Sequence, residues 1–210
     1  GAIPLVLQLA KSSDAALQRQ AVTALGSLAS WHQENQSAAG AAGAIPLLLQ
    51  LAKSSDAALQ REAVRALGYL VSCHQENQSA AGAAGAVEHM CNLLSASSHP
   101  DVALKAVEIL NDLSSSASNA SKAVSLGAVA LLTQLKGSKG AEFDGYIVKV
   151  LAKLAKAPQP TTDEAKAAAG AAGAVELMCN LLSASSDPDV ALQAVNTLNY
   201  LSSLASNASK

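Results

Sequence analysis

Residues 43–84 read GAIPLLLQLAKSSDAALQREAVRALGYLVSCHQENQSAAGAA, and residues 1–42 repeat this string with only six differences. The opening Gly-Ala-(Ile/Val) step recurs at Gly1, Gly43, Gly85, Gly127 and Gly173, at intervals of 42, 42, 42 and 46 residues. A period of this length is typical of solenoids, in which each repeat buries its apolar face only against its neighbours. The period therefore predicts a single array over residues 1–210, with units 1–42, 43–84, 85–126, 127–172 and 173–210.

The composition is typical of a helical protein. Alanine and leucine, both good helix formers, together occupy 77 of the 210 positions. Charged residues make up 14% of the chain, which is too few for a solvated disordered chain, and a net charge of −2 gives no field that would attract nucleic acid. No apolar run approaches the roughly 18 residues that a membrane span needs. We therefore expect a soluble, folded, all-α protein that neither spans a membrane nor binds nucleic acid.

Three helices are predicted within residues 43–84. The first begins near Pro46, which a first helical turn tolerates, and is apolar on nearly every side. Ser54 to Asp56 form a break with capping side chains, and a long helix follows to about residue 73. Asn77 is interpreted as the cap of a short segment, residues 78–84. The corresponding residues of the other Asn-x-Ser strings are interpreted as caps too, rather than as glycosylation sites: Asn35, Asn119 and Asn207.

This arrangement resembles the armadillo repeat along the whole chain. The resemblance rests on the Asn77-Gln78-Ser79 string leading to residues 84–87, on GAIPLLLQL in the second helix, and on EAVRALGYL in the third. HEAT repeats are the second-ranked alternative, since they have a similar length but two helices and lack the Gly-Ala step. The resemblance implies an all-α, right-handed α-solenoid, an armadillo-like superhelix of stacked three-helix repeats whose third helices line a concave groove.

The near-identical units differ mainly along one side of the third helix. Units one and two differ at six positions, and units three and five differ at 7 of the 38 positions they share. Four positions vary in both pairs, at offsets of 0, 3, 7 and 11, which place them on one helix face. Residues 33–42, by contrast, are identical to residues 75–84. Separate tuning of this face in each unit is the favoured explanation, and neutral drift of an exposed face is the alternative.

We call these positions the third-helix stripe and predict that they bind a partner, because the resemblance turns this face toward the groove. Its predicted residues are Gln20, Thr23, Ser27, Trp31, Glu62, Arg65, Tyr69, Lys105, Glu108, Asp112, Tyr146, Lys149, Lys153, Gln193, Asn196 and Tyr200. Four of the five aromatic residues of the chain are among them. The alternative is that the charges pair with one another across the repeats, where exposed pairs contribute about 0–1 kcal/mol each.

Peptide-binding armadillo proteins of the nuclear-import and junctional type resemble one another in a Trp and, four residues later, an Asn that grips the ligand backbone. The corresponding positions here hold Thr23 and Ser27 in the first unit and Arg65 and Tyr69 in the second. No unit keeps both family residues. The family's partners are therefore not carried over to this chain.

No catalytic or metal chemistry is predicted. No Cys or His pair has zinc spacing, and no titratable groups are placed to act together. His32 and His74 are interpreted as loop histidines, Cys91 and Cys179 as core residues, and Cys73 as an accessible thiol. We therefore expect a protein without enzymatic activity or cofactor, in a reducing intracellular compartment.

Three functional interpretations follow. The first is a non-catalytic scaffold that binds another protein, or an extended peptide, in the groove. The second is an architectural subunit of a large assembly, with stacking at uncapped ends, since the sequence is expected to be a fragment of a longer array. The third is an engineered array, because near-copies that vary in the groove resemble a library on a fixed framework. An irregular fourth unit, with an exposed loop expected at residues 157–163, argues against a full consensus design.

Overall fold

The computed structural model describes residues 1–96 and 99–155, and the single positions Cys179, Val195 and Leu198. Eleven helices and no strand lie in residues 1–155 as described: α1 (Ala2–Leu9), α2 (Ala15–Ala29), α3 (Gln33–Ala41), α4 (Ala44–Leu51), α5 (Ala57–Val71), α6 (Gln75–Ala83), α7 (Ala86–Ala96), α8 (Pro100–Leu113), α9 (Ala117–Ser125), α10 (Ala128–Leu135) and α11 (Ala141–Ala155). The predicted all-α fold class is confirmed. The loop predicted at residues 157–163 lies outside the described residues.

Two compact units divide the chain, Gly1–Ser116 and Ala117–Lys210. In the first unit the helices follow the predicted order, a short helix, a long one of 14 or 15 residues, and a second short one. The single array over residues 1–210 stays a prediction.

The Gly-Ala step that marks each repeat is a backbone turn. Gly43 and Gly85 directly precede α4 and α7 and adopt φ values of +83° and +87°. An added Cβ would meet nothing within 4 Å at either residue, so space does not require glycine there. Glycine is favoured because it reaches the left-handed region without steric cost, which explains why the step recurs at each repeat.

Aspartate caps begin the first two long helices, as predicted for Asp56. Its Oδ1 accepts hydrogen bonds from the backbone N–H groups of Ala58 at 2.8 Å and Leu59 at 3.2 Å. Asp14 accepts from Leu17 N at 2.9 Å in the preceding repeat. Each carboxylate satisfies N–H groups that have no partner inside the helix and offsets the positive end of its dipole.

In the first unit, the long helices α2, α5 and α8 pack side by side, and α1, α4 and α7 each pack against the long helix of their own repeat. Small residues bring the long helices close together, since a Cβ on Gly26 of α2 would lie 3.3 Å from the backbone of Ala66 on α5. The core between these layers is apolar, with Leu48, Leu67 and Leu110 fully buried. This side-by-side layer positions the third-helix stripe.

The second unit has its own core in its described part, where α9, α10 and α11 pack against one another. Phe143, Ile147 and Leu154 of α11 are buried, as is Leu132 of α10.

The predicted caps at Asn35 and Asn77 are wrong, because the short helices begin earlier than predicted. The α6 helix begins at Gln75, after His74, whose Nδ1 accepts from Asn77 N at 3.3 Å. Asn77 is therefore inside the helix and buried. Asn35 likewise lies inside α3, where its Nδ2 donates to Leu28 O at 2.7 Å. Asn119 is buried inside α9, and Asn207 lies outside the described residues.

Buried amide side chains join the first repeat to the second where the long helices end. Asn77 Nδ2 donates to Leu70 O at 2.8 Å in its own repeat and to Gln36 O at 3.0 Å in the preceding one. Gln36 Nε2 in turn donates to the carbonyls of Tyr69, at 2.6 Å, and Ser72, at 3.1 Å. The bonds to Leu70, Tyr69 and Ser72 satisfy carbonyls at the end of α5 that have no partner inside the helix, which accounts for the asparagine and glutamine that both segments keep.

His74 belongs to the same contact between the repeats. Its Nε2 lies 2.8 Å from Ser37 Oγ of the preceding repeat, and the side chain is buried. His74 lies in the connection between α5 and α6, as predicted, but it is buried and caps α6, whereas the corresponding His32 is exposed.

His89 introduces a pH dependence between the second and third repeats. It takes a position that is leucine in every other repeat, and its Nε2 is buried without a hydrogen-bond partner among the described residues. Burial lowers the pKa of His89 below its usual 6.5, the Lys53 ammonium lowers it further, and a hydrogen bond to the Ala52 backbone opposes both effects. Folding therefore disfavours the protonated imidazole.

We expect the folded protein to lose stability as the pH falls from 6.5 through the lower folded-state pKa of His89, because the unfolded chain binds the proton more readily. Above pH 6.5 this contribution is fully present. Urea unfolding at about pH 8 and about pH 5.5 should show a smaller loss on acidification for His89→Leu than for the unchanged protein. An equal loss in both proteins would contradict this assignment.

Candidate functional site: the third-helix stripe

The first unit presents the stripe on the side of the long helices that packing leaves uncovered. On α5, apolar residues from Leu59 to Val71 bury the remaining faces, and the predicted residues Glu62, Arg65 and Tyr69 stay half-buried. The same division holds on α2 and α8. Gln20 and Ser27 are exposed, and the half-buried members are Thr23, Lys105, Glu108 and Asp112.

Charged members of the stripe pair within their own helices. Arg65 forms an ion pair with Glu62 on α5, and Lys105 forms one with Glu108 on α8. A hydroxyl joins the first of these pairs to the preceding repeat, since Thr23 Oγ1 donates to Glu62 Oε2 at 3.0 Å. For Arg65 and Glu108, the alternative of pairing across repeats is therefore replaced by pairs three residues apart, which lie on one helix face.

One ion pair does link two long helices in the first unit. Arg61 Nε lies 2.5 Å from Asp101 Oδ2, and both side chains are about half exposed. Exposed pairs of this kind contribute about 0–1 kcal/mol to stability.

Two stripe side chains lie over the close approaches between long helices. A Cβ on Gly26 would lie 3.4 Å from Tyr69 Cδ2, and a Cβ on Gly68 would lie 3.2 Å from Lys105 Cδ. The Tyr69 ring therefore packs on α2, and the aliphatic stem of Lys105 packs on α5, with their polar ends left toward the stripe. The stripe is thus a surface continuous across α2, α5 and α8.

Trp31 does not lie on the helical stripe, contrary to the sequence prediction. The α2 helix ends at Ala29, and Trp31 follows in a left-handed turn with a φ of +64° and a side chain that is 92% exposed. Cys73 takes the same place after α5, with a φ of +55°. The helical spacing from Ser27 to Trp31 is therefore broken, because the backbone leaves the helix between them.

In the second unit, α11 carries the predicted residues Tyr146, Lys149 and Lys153. The Lys149 ammonium lies 5.0 Å from the centre of the Tyr146 ring, within the range of a cation–π contact. The predicted residues Gln193, Asn196 and Tyr200 lie outside the described residues. Binding of a partner by the stripe stays a prediction in both units.

Burial of the three cysteines agrees with the prediction for two of them and contradicts it for the third. Cys91 is buried as expected, and burial, together with the nearby Glu88 carboxylate, raises the pKa of its thiol to about 11. Cys179 is exposed, so its interpretation as a core residue is wrong, while Cys73 is exposed as expected. A Cys91 thiol with this pKa stays protonated near neutral pH and is a poor nucleophile.

Within the ranges that the structure describes, no three His, Cys, Asp or Glu side chains are grouped so as to hold a metal ion. No helix in those ranges is both long and apolar enough to cross a bilayer.

Sequence reasoning missed the two non-glycine turns and the buried amides beneath the stripe. A signal for the amides was present, because residues 33–42 and 75–84 are identical although much of their surface is exposed. The turns at Trp31 and Cys73 had no such signal, since neither residue type favours a left-handed backbone.

Comparisons with known proteins agree with this geometry. The family model of the armadillo/beta-catenin-like repeat matches residues 1–30, 32–72 and 162–203, which together make up more than half of the chain. No curated protein sequence matches the chain.

Several solved structures that resemble the chain are engineered proteins. One engineered protein from the Northeast Structural Genomics Consortium is 30% identical over 96% of this chain, with a TM-score of 0.79, and this chain spans only 48% of its length. A designed armadillo repeat protein in complex with the peptide (KR)4 is 23% identical, with a TM-score of 0.75; the match covers 97% of this chain and 89% of that one.

A further structure belongs to computationally designed armadillo repeat proteins for modular peptide recognition. It is 21% identical, with a TM-score of 0.76, and the match covers 93% of this chain and 80% of that one. These likenesses show an α-solenoid fold, and the family model shows which repeat builds it. The chain belongs to the armadillo repeat family.

Proposed function

We propose that the chain is a non-catalytic scaffold that binds a protein or an extended peptide segment along the third-helix stripe. One observation carries the proposal: the stripe positions of Glu62, Arg65 and Tyr69 differ in both pairs of near-identical repeats, and the structure of the first unit exposes or half-exposes them on a layer of packed long helices. Side chains that vary without changing the core alter what the surface can bind. Designed relatives for peptide recognition support the same interpretation.

The charge pairs in the stripe limit which ligands suit it. Glu62 is already shared by Arg65 and Thr23, and Glu108 is shared with Lys105. A ligand segment whose charges are all of one sign would have to displace one partner of such a pair. A segment that carries both signs can instead form hydrogen bonds with both partners of an intact pair. Tyr69 supplies the aromatic contact that is frequent at the centre of binding surfaces.

An engineered origin is compatible with this function. The chain is 30% identical to an engineered protein, and its first two repeats differ at only six positions. A library of stripe residues on a constant framework would produce this distribution of differences.

The first repeat provides a set of substitutions that tests the stripe without disturbing the fold. Replacing Glu62→Gln, Arg65→Thr and Tyr69→Ser gives the second repeat the residues that the first already uses at these positions. We expect peptides selected from a random display library on the unchanged chain to bind this triple variant at least about tenfold more weakly, because an aromatic anchor and a charge pair are lost.

The matched control is Lys53→Ala, an exposed residue away from the stripe that should leave the affinity unchanged. Fluorescence anisotropy of the labelled peptides measures both variants. Equal affinity of the triple variant and the unchanged chain, or failure of the library to yield any binder, would contradict the proposal.

A further inference from the structure

Thr23 on α2 contacts a charged pair that belongs to the next repeat. Its Oγ1 lies 3.0 Å from Glu62 Oε2 on α5 and 3.1 Å from the carbonyl oxygen of Arg19 on its own helix. A threonine hydroxyl has one proton to donate. The carboxylate receives it, because a charged acceptor forms the stronger hydrogen bond and the Arg19 carbonyl already accepts from the α2 backbone.

Glu62 connects this hydroxyl to Arg65. The oxygen that accepts from Thr23, Glu62 Oε2, also pairs with Arg65 Nη2. Among the described residues, Glu62 is the only ionic partner of Arg65. The Glu62 side chain is 21% exposed and the Arg65 side chain is 42% exposed, so the carboxylate lies deeper in the surface than the guanidinium. A hydroxyl of the first repeat therefore helps to hold a cation that the second repeat presents to solvent.

The next two long helices lack this connection. At the corresponding positions α5 carries Arg65 in the place of Thr23, and α8 carries Lys105 in the place of Glu62. Both side chains only donate hydrogen bonds, so they cannot bond to each other, and Lys105 pairs with Glu108 of its own helix. Of the two contacts between long helices in the first unit, only the one between α2 and α5 thus couples a stripe charge to the preceding repeat by such a bond.

We infer that Thr23 is a positioning residue for ligand binding by the second repeat. Its hydroxyl holds the Glu62 carboxylate, and through it the Arg65 guanidinium, in the orientation that the ligand segment meets. A long side chain that is held before binding loses less conformational freedom when the ligand binds. This inference rests on the proposed function and adds to it that the first two repeats do not bind independently.

Thr23→Val tests this role, because valine keeps the branched shape of threonine and removes the hydroxyl. The probe is a labelled peptide selected from a random display library on the unchanged chain, and the triple stripe variant is measured with the same peptide. We expect Thr23→Val to bind it about three- to tenfold more weakly in fluorescence anisotropy. Thr23→Ser keeps the hydroxyl and should bind within about twofold of the unchanged chain, which a purely steric role of Thr23 would not produce.

Thr133→Val is the matched control. Thr133 Oγ1 donates to Val129 O at 2.7 Å within α10, so this change removes a threonine hydroxyl that bonds only within its own helix. The control should bind the peptide as the unchanged chain does. Urea midpoints of all variants show that a loss of affinity does not reflect unfolding.

An Arg65→Met background shows whether Thr23 acts through Arg65. Methionine keeps much of the aliphatic stem and removes the guanidinium, so nothing remains for the hydroxyl to position. Thr23→Val should then leave the affinity unchanged. A threonine that contacts the ligand directly would instead cause the same loss in both backgrounds, and that result would overturn the inference.

These measurements also separate the positioning role from the proposed function. If Thr23→Val keeps full affinity while the triple stripe variant loses it, the positioning role is wrong and the scaffold stands. If neither change lowers affinity, or the library yields no binder, both are wrong.

Discussion

Replacing Asn77 with alanine is expected to lower the free energy of unfolding by about 3 kcal/mol, more than any surface substitution in the chain. Its Nδ2 donates to Leu70 O and to Gln36 O, in two different repeats, and the side chain is buried. Alanine leaves both carbonyls without that donor, and a buried polar group without a partner costs about 1–3 kcal/mol. Urea unfolding followed by the helical circular dichroism signal measures the change.

Asn35→Ala is the matched control, since the same residue type takes the same place one repeat earlier. Asn35 is half-buried and donates to Leu28 O within its own repeat. We expect a loss of about 1 kcal/mol, the usual net value of one hydrogen bond. Equal losses in the two variants would show that the bond between repeats contributes nothing beyond the local one.

Gly40→Ala is expected to destabilise the protein by about 2–3 kcal/mol, although alanine is intrinsically about 1 kcal/mol better than glycine inside a helix. A Cβ on Gly40 would lie 2.1 Å from Asn77 Oδ1 and 3.0 Å from its Cγ. Asn77 would have to move, and its two buried hydrogen bonds would be lost with it. Gly145→Ala in α11 is the control, because its Cβ would meet nothing within 4 Å, and it should raise stability by about 0.5–1 kcal/mol.

A double variant tests the cause of this loss. With Asn77 already replaced by alanine, the atom that Gly40→Ala would strike is absent, so the second substitution should be neutral or slightly stabilising. Simple addition of the two losses would show that something other than the contact with Asn77 requires glycine at this position.

The sequence predicts the fold well because the same local signals for helices and turns occur in successive repeats. An apolar short helix, an aspartate cap such as Asp56 and an amphipathic long helix recur in the same order, and each occurrence supports the others. The Gly-Ala step adds a backbone requirement that few residues other than glycine meet, as the φ of +83° at Gly43 shows. These are local rules, so spacing alone is sufficient to apply them.

The errors arise where a contact with the neighbouring repeat decides the local structure. An asparagine ahead of a short helix is a good cap by propensity, but Asn77 donates to Leu70 O of its own repeat and to Gln36 O of the preceding one, and His74 caps instead. Continuing the helical spacing beyond Ser27 wrongly places Trp31 on the stripe. The helix ends at Ala29 because the chain must turn into α3, and the Trp31 side chain gives no sign of that turn.

A crystal structure of the chain with a library-selected peptide is the most direct test of the claim that the stripe is the binding surface. We predict that the peptide contacts Arg65 and Tyr69 on α5 and Lys105 on α8, within about 4 Å. A peptide bound against Gln50 and Lys53, with those three side chains left in solvent, would contradict the claim.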